Sequence, residues 1–255
     1  MALEQYLPTQ VFIFLLVFVR TGAIVMLMPG IGETYVTTRI RLFFGLALTL
    51  VIAPVVENLL PAEPPSAGAL LLLMISELVI GLYLGLIARI LLLTLDTAGR
   101  IISFSIGLAS AQVFNPSSAS QATLPGLILT MLGILMIFVT NLHHLMITAM
   151  VDSYQSFQPG QPLPLNDMGE AITLLVAKSF KIAVQLSAPF LIFSLLFFVA
   201  LGIVARLMPQ MQIFFVGLPV QIAVGVFMLS AILMAMMEVF LNYFAENAAF
   251  FMLPG

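Results

Sequence analysis

Cysteine is absent from this chain of 255 residues, and charged side chains make up only 7% of it. Without cysteine the chain forms no disulfide, holds no thiolate-bound metal and offers no cysteine nucleophile. A soluble domain carries about 25% charged residues, whereas 62% of this sequence is hydrophobic and its mean hydropathy is +1.20. The composition therefore predicts an integral membrane protein with most of its mass in apolar helices.

The motifs of nucleotide-driven and hydrolytic chemistry are also lacking. The sequence contains no Walker A loop, GxSxG, HExxH or glycine-rich dinucleotide fingerprint. Its net charge of −3 is too small to indicate a nucleic-acid partner. The opening MALEQYLPTQ has no Lys or Arg, so it lacks the basic segment of a cleaved signal peptide. We therefore expect no enzymatic activity, catalytic residue, cofactor, metal or nucleic acid, and a retained first apolar run.

Several apolar runs approach the ~20 residues that a helix needs to cross a bilayer. About six are predicted, at roughly Val11–Met28, Ile40–Val56, Ala67–Leu93, Leu124–Val151, Ala171–Ala205 and Gln212–Met237. Two longer stretches, Ala67–Arg100 and Ala171–Ala205, would each extend roughly 50 Å as helices, so they must tilt, kink or project. The sequence predicts an all-α integral membrane protein, a single membrane domain over 1–255, with long, tilted and kinked helices. Pro189 is the expected kink, and Asp167 with Glu170 is the expected capping box of the fifth helix.

The distribution of charge predicts an orientation. Basic residues fall at alternate ends of the runs from the acidic ones; they are Arg39, Arg41, Arg89, Arg100 and Arg206. The positive-inside rule places these turns in the cytoplasm and both termini on the periplasmic side. The turn with Arg206, Pro209 and Gln210 is thus predicted to be cytoplasmic. Lys178 and Lys181 break the pattern. Two interpretations stay open: they pair with Glu170 or Glu238, or they face a water-filled interior.

A lone carboxylate lies within the third run. Glu77, Gly81, Gly85 and Arg89 recur every fourth residue and so follow one ridge of a helix. Gly81 and Gly85 form a GxxxG, which permits close approach of another helix. An ionisable group at this depth suggests a proton relay or an ion site. Because no second acid is spaced to relay a proton, a structural carboxylate bonded to a neighbouring helix is favoured.

A second ridge of small residues leads into a polar segment without charge. Gly99, Ser103, Gly107 and Ala111 again recur every fourth residue, which is typical of tight helix packing. No Asp, Glu, Lys or Arg occurs between Ile101 and Val151, yet AQVFNPSSASQATLPG in its middle is polar. Such backbone is tolerated at membrane depth only inside protein or along an aqueous cavity. A loop held in a pore and an ordinary surface connector are both open from the residues alone.

Two further groups of residues favour packing over chemistry. His143 and His144 are adjacent, so on a helix they point about 100° apart and are poorly placed to share a metal. A packed or hydrogen-bonded pair is the favoured interpretation, and an intramembrane metalloenzyme is a remote one. The 16 methionines cluster along several helices, where flexible thioethers serve adaptable packing.

Five segments together resemble the FliR/SctT family of type III secretion export-gate subunits. They are RTGAIVMLMPGIGETYVTTRIR, ELVIGLYLGLIAR, AGRIISFSIGLASAQVFNP, NLHHLMITAMVDSYQSFQP and ARLMPQMQIFFVGLPVQIAVG, in one order along nearly the whole chain. The flagellar branch, FliR, fits better than the virulence branch, because of the early P-G…R-x-R segment and PQ-x-x-x-F-x-x-G-x-P. Lys178 and Lys181 do not match a family feature.

The resemblance implies a set of partners and an architecture. Family members join FliP and FliQ subunits in a helical export gate on which FlhB docks, in the inner membrane of the flagellar basal body. Residues 1–165 then resemble FliP, and 166–255 resemble a FliQ hairpin that turns around Arg206–Gln212. The pore-plugging loop of the family falls on about residues 107–123. The plug residues carried over are Gln112, Val113, Phe114, Asn115, Pro116, Ser117 and Ser118.

The expected function is therefore a subunit of the flagellar protein-export gate, which forms and closes a pore for unfolded flagellar substrates and contacts membrane lipid. Two alternatives remain beside it. One is the homologous subunit of a virulence type III secretion system. The other is a secondary transporter of small solutes, with Glu77, Lys178 and Lys181 as coupling charges and a site near the bilayer midplane.

Overall fold

The computed structural model describes residues 3–61, 66–109, 123–208 and 213–249, and the regular structure in these ranges is helical. The α-helices are α1 (Leu3–Leu27), α2 (Thr38–Val56), α3 (Ala67–Ser105), α4 (Leu124–Val139), α5 (Leu142–Ser156), α6 (Leu165–Leu207) and α7 (Ile213–Ala249). One 3₁₀ turn, Glu57–Leu59, follows α2. The predicted all-α class is confirmed.

Most of these helices are long and apolar enough to cross a membrane. Five in the described part of the chain meet that condition, and α4 with α5 supplies a sixth if the two count as one broken span. The prediction of about six spans agrees with this. The longest helices, α3 with 39 residues, α6 with 43 and α7 with 37, exceed the roughly 20 residues that a simple span needs.

The helix boundaries differ from the sequence expectation at two places, Asn141 and Asp167. The fourth apolar run is divided between α4 and α5 by a break at Asn141, whose φ of 61° is left-handed. Asn tolerates that conformation better than most residues. Asp167 lies in the first turn of α6 instead of at its cap, because the helix begins at Leu165. Pro189 lies inside α6, which is one helix from Leu165 to Leu207, and the predicted kink there stays a prediction.

The chain forms two compact units. Unit 1 comprises Met1–Leu91, Phe138–Leu175 and Ala245–Gly255, and unit 2 comprises Leu92–Ile137 and Val176–Phe244. In unit 1, α1 packs against α2 around a cluster of buried side chains: Phe12, Ile13, Leu16, Val17, Ile52, Ala53, Val56 and Tyr154. In unit 2, large side chains fill the space beside glycines. Leu95 and Phe240, for example, both lie next to Gly133.

Large apolar side chains are exposed along whole helix faces. On α2 they include Phe43, Leu50, Val51 and Val55, and on α6 they include Ile192, Leu195, Leu196, Val199 and Ile203. Such continuous apolar surface is unusual on a soluble monomer. It is the surface expected of helices that contact lipid or other apolar helices.

Candidate functional site

A buried ion pair joins α1 to α3 in unit 1. Arg20 Nε donates to Glu77 Oε2 at 2.6 Å, and Arg20 Nη2 donates to Glu77 Oε1 at 2.9 Å. Both side chains are completely buried. The two parallel bonds match the planar guanidinium to the carboxylate, which is the strongest geometry for such a pair.

The remaining donors of Arg20 reach the C-terminal end of α5. Nη1 donates to the carbonyl oxygen of Ser153 at 3.0 Å and to its hydroxyl at 3.2 Å, while Nη2 also donates to the carbonyl of Phe157 at 2.9 Å. The guanidinium carbon lies 4.0 Å from the centre of the Tyr154 ring, in cation–π geometry. All five N–H groups of Arg20 therefore have acceptors.

This arrangement is suited to fixing helices rather than to moving protons. Both oxygens of Glu77 accept bonds from one arginine, so neither is free to take part in a relay. A buried pair is tolerated when its remaining hydrogen-bonding groups are also satisfied, as they are for Arg20. The network connects α1, α3 and α5 at a single point.

The glycines that follow Glu77 lie where α3 meets α1. A Cβ atom built on Gly81 would lie 2.6 Å from the carbonyl oxygen of Arg20 and 2.7 Å from Ala23 Cβ. A Cβ on Gly85 would lie 2.8 Å from Leu27 Cβ. The two backbones are therefore too close for any side chain at these positions. The neighbour of the GxxxG is a helix of the same chain.

Further along the same ridge, a second ion pair holds the connection between α1 and α2. Arg89 on α3 pairs with the carboxylate of Glu33, which lies in that connection. Arg41 donates to the backbone carbonyls of Glu33 and Val36 at 2.7 and 2.8 Å. Two arginines thus order one short loop in unit 1.

Gly99, the first residue of the second ridge, packs on α4 within unit 2. Gly99 faces Gly126 so closely that a Cβ on Gly99 would overlap the backbone of Gly126. The N-terminus of α4 is capped there, since Thr123 Oγ1 accepts a bond from Gly126 N at 3.2 Å. Asp96 and Arg100 form a pair one turn apart on the exposed side of α3. Gly107, just beyond α3, has a left-handed φ of 79°.

The histidines and lysines contribute no chemical centre. The His143 ring stacks on Phe138 at 5.0 Å between centroids and lies tilted against His144 at 4.1 Å. No group of three or more His, Cys, Asp or Glu in the described ranges is placed to hold a metal. Lys178 and Lys181 are both exposed on α6, and neither forms an ion pair with the part of the chain that the structure describes.

The predicted plug and most of the predicted cytoplasmic turn lie outside the described residues. This applies to Gln112, Val113, Phe114, Asn115, Pro116, Ser117, Ser118, Pro209 and Gln210. Arg206 is described; it lies in the last turn of α6 and is exposed. These predictions stay predictions.

Sequence reasoning missed three residues that the structure makes prominent: Arg20, Glu33 and Gln221. Arg20 was passed over because a single arginine in an apolar run resembles a charge near a helix end. The available signal was that Arg20 and Glu77 lie inside two separate predicted spans, each without a partner of its own. Gln221, a polar residue in an apolar part of α7, gave a similar signal.

The chain is similar to known bacterial export proteins over most of its length. Residues 11–247 match the family described as bacterial export proteins, family 1. The chain is 41% identical over 237 residues to a protein of Caulobacter vibrioides named flagellar biosynthetic protein FliR, covering 93% of this chain and 94% of that protein. It is 34% identical over 239 residues to the protein of that name in Bacillus subtilis, covering 91% and 90%. It is 29% identical over 196 residues to Yop proteins translocation protein T of Yersinia pestis, covering 75% and 74%.

Proposed function

Because the chain belongs to family 1 of the bacterial export proteins, we propose that it is a subunit of the flagellar type III protein-export gate in the bacterial inner membrane. The observation that carries this function is the 41% identity to a flagellar biosynthetic protein over nearly the full length of both chains. The long apolar helices agree with the membrane location. The flagellar proteins of Caulobacter vibrioides and Bacillus subtilis, at 41% and 34% identity, are also more similar than the translocation protein of Yersinia pestis at 29%, which favours the flagellar branch.

The partners in this proposal are FliP and FliQ subunits, FlhB and unfolded flagellar substrates. The exposed apolar faces of α2 and α6 offer surface for neighbouring helices as well as for lipid. Residues 1–165 would take the place of a FliP-like part, and 166–255 that of a FliQ-like hairpin. The chain would act as a structural part of the gate without enzymatic activity.

Complementation and copurification test the function together. Expression of the chain in a non-flagellated strain that lacks its own FliR should restore motility, and an affinity tag on the chain should recover FliP and FliQ. A chain that is inserted and stable, yet restores no motility and purifies alone, would contradict the proposal. The secondary-transporter alternative predicts a chain that restores no motility and purifies alone. It is not favoured, because both oxygens of its coupling carboxylate, Glu77, are bound to Arg20.

We further propose that residues 112–118 form a plug that closes the export pore at rest. Three features of the sequence support it: no charge to anchor the segment, polar groups that need water or protein partners, and the apolar bulk of Val113 and Phe114. Apolar constrictions exclude water and ions. Of the described residues that precede the segment, Ser103, Ser105, Ile106 and Ala109 are buried in unit 2, whereas Phe104 is exposed.

Deletion of residues 113–120 is the test of the plug. The gate should assemble with normal yield but conduct ions at rest, so growth should slow and membrane conductance should rise. Phe114→Ala should leak less than the deletion, because it removes bulk without removing the loop. An assembled deletion complex as tight to ions as the wild type would rule out the plug and leave the segment as a surface connector.

A further inference from the structure

The end of α3 is held by a side chain from α7. Gln221 is buried, with 3% of its surface exposed, although α7 is otherwise strongly apolar around it. Its Nε2 donates to the carbonyl oxygen of Ser105 at 2.8 Å. Ser105 is the last residue of α3, and the carbonyl groups of a last helical turn have no partner within their own helix.

The four carbonyl groups of this last turn are all satisfied, each by a different donor. Those of Ile102, Ser103 and Phe104 accept from the backbone N–H groups of Ile106, Ala109 and Gly107, respectively. The carbonyl of Ser105 accepts from Gln221. The local turn therefore supplies three bonds and α7 supplies the fourth. Loss of that fourth donor would leave a buried acceptor unpaired, which is costly in an apolar setting.

Two glycines allow α7 to come close enough for this bond. Gly225 lies four residues after Gln221, so the two share one face of the helix. A Cβ on Gly225 would overlap the side chain of Ile106, which is completely buried. Gly107 lies beside the carboxamide of Gln221, and a Cβ there would lie 3.6 Å from its Cδ. The contact thus includes the residue with left-handed φ at which the chain changes direction.

We propose that Gln221 is a positioning residue that holds the last turn of α3 and fixes the direction in which the chain leaves that helix at Gly107. This role rests on the proposed function, because the residues that follow Ala109 lead into the proposed plug. Gln221 is not expected to touch substrates. It acts through Ser105 and Gly107, and its removal should loosen closure of the gate without preventing assembly.

The test compares Gln221→Met with a matched control in the tagged, assembled complex. Methionine has nearly the same length as glutamine and lacks the donor, and Gln185→Met makes the same change at an exposed position of α6. Amide hydrogen exchange of residues 101–109, followed by mass spectrometry, should become about tenfold faster in Gln221→Met and stay unchanged in Gln185→Met. Ion conductance at rest should lie between wild type and the 113–120 deletion.

The outcomes separate this inference from the plug proposal. Unchanged exchange in residues 101–109 would overturn the role of Gln221, as would a tight Gln221→Met complex in a preparation where the deletion leaks. If the deletion itself stays tight, the plug proposal fails and the exchange alone decides whether Gln221 holds the turn. Should Gln221→Met fail to assemble, Gln221→Asn replaces it, because its amide is one methylene too short for the bond.

Discussion

At the scale of single residues, Arg20 connects three helices of unit 1. Its guanidinium has five acceptors from three partners, and it lies against an aromatic ring. A buried cation without a counterion is far more costly than a buried pair. The network therefore stabilises unit 1 mainly because each charge removes the cost of burying the other.

Paired substitution of Arg20 and Glu77 should show this dependence. Glu77→Gln alone leaves Arg20 as a buried cation without a counterion, which is expected to cost about 3–5 kcal/mol of stability. The double variant Arg20→Gln with Glu77→Gln removes both charges, so it should be more stable than the single variant by at least ~1.4 kcal/mol, a tenfold difference in equilibrium. The measurements are thermal unfolding in detergent, complex yield and export of flagellin. A well-assembled double variant that exports as poorly as an assembled Glu77→Gln would instead indicate proton transfer by Glu77.

At the scale of helices, α3 makes specific contacts at several points along its length. Glu77, Gly81, Gly85 and Arg89 each contact α1 or the loop that follows it. Further along, Gly99 meets α4 and Ser105 meets α7. Apolar contacts are weakly directional, whereas close backbone approach and buried bonds define one register. The small and polar residues of α3 therefore specify which helix lies against which part of it.

Alanine substitutions at two glycines should have effects of opposite sign. Gly81→Ala places a methyl group against the backbone of α1, and overpacking of this kind costs about 1–3 kcal/mol. Gly202→Ala in α6 meets nothing within 4 Å, so its better helix propensity should stabilise the chain by about 0.4–1 kcal/mol. Unfolding of the two purified variants in detergent gives the comparison. Equal stability of both would mean that α1 and α3 pack less closely than the structure shows.

How much of this was predictable depends on the kind of interaction. Apolar length and charge were enough to predict the helices, since the bilayer imposes a length of about 20 residues. The period of four was enough to place Gly81 and Gly85 on one face. The identity of the partner was not predictable, because α1, which contacts these glycines, is over fifty residues away in sequence and many helices could accept a small-residue face. The same holds for Gln221 and Ser105, whose separation is 116 residues.

Some differences have a local physical cause instead. The division of the fourth run at Asn141 arises from one left-handed residue in an otherwise apolar stretch, and hydropathy averaged over a span does not register one backbone angle. At Pro189 the helix continues, although proline is the residue type that most often interrupts helices. A proline removes one backbone bond and bends a long helix without necessarily ending it.

At the scale of the whole molecule, the order of charges along the chain predicts its orientation in the membrane. Arg206 is exposed at the end of α6, and the connection before α6 is rich in Gln and Pro and lacks basic residues. The positive-inside rule assigns the first to the cytoplasm and the second to the periplasm. The same rule predicts that both termini lie on the periplasmic side.

Single cysteines can read this orientation directly, because the chain has none of its own. In cells with a permeabilised outer membrane, Gln161→Cys should react with a membrane-impermeant thiol reagent, and Gln210→Cys should react only after the inner membrane is opened. Gln161 is exposed, so its reaction serves as the control for reagent access. Rapid labelling of Gln210→Cys in intact inner membranes would reverse the orientation.

The distance between Arg20 and Glu77 along the chain has a consequence for biosynthesis. Arg20 is made 57 residues before its counterion, which at about 5–20 residues per second is a delay of about 3–11 s. During that interval the first helix carries a solitary cation into the insertion machinery, at a cost of about 2.5–3.5 kcal/mol for an arginine at the centre of a span. The buried ion pair therefore forms only after the third helix has been made, and we expect the first helix to complete its packing at that stage.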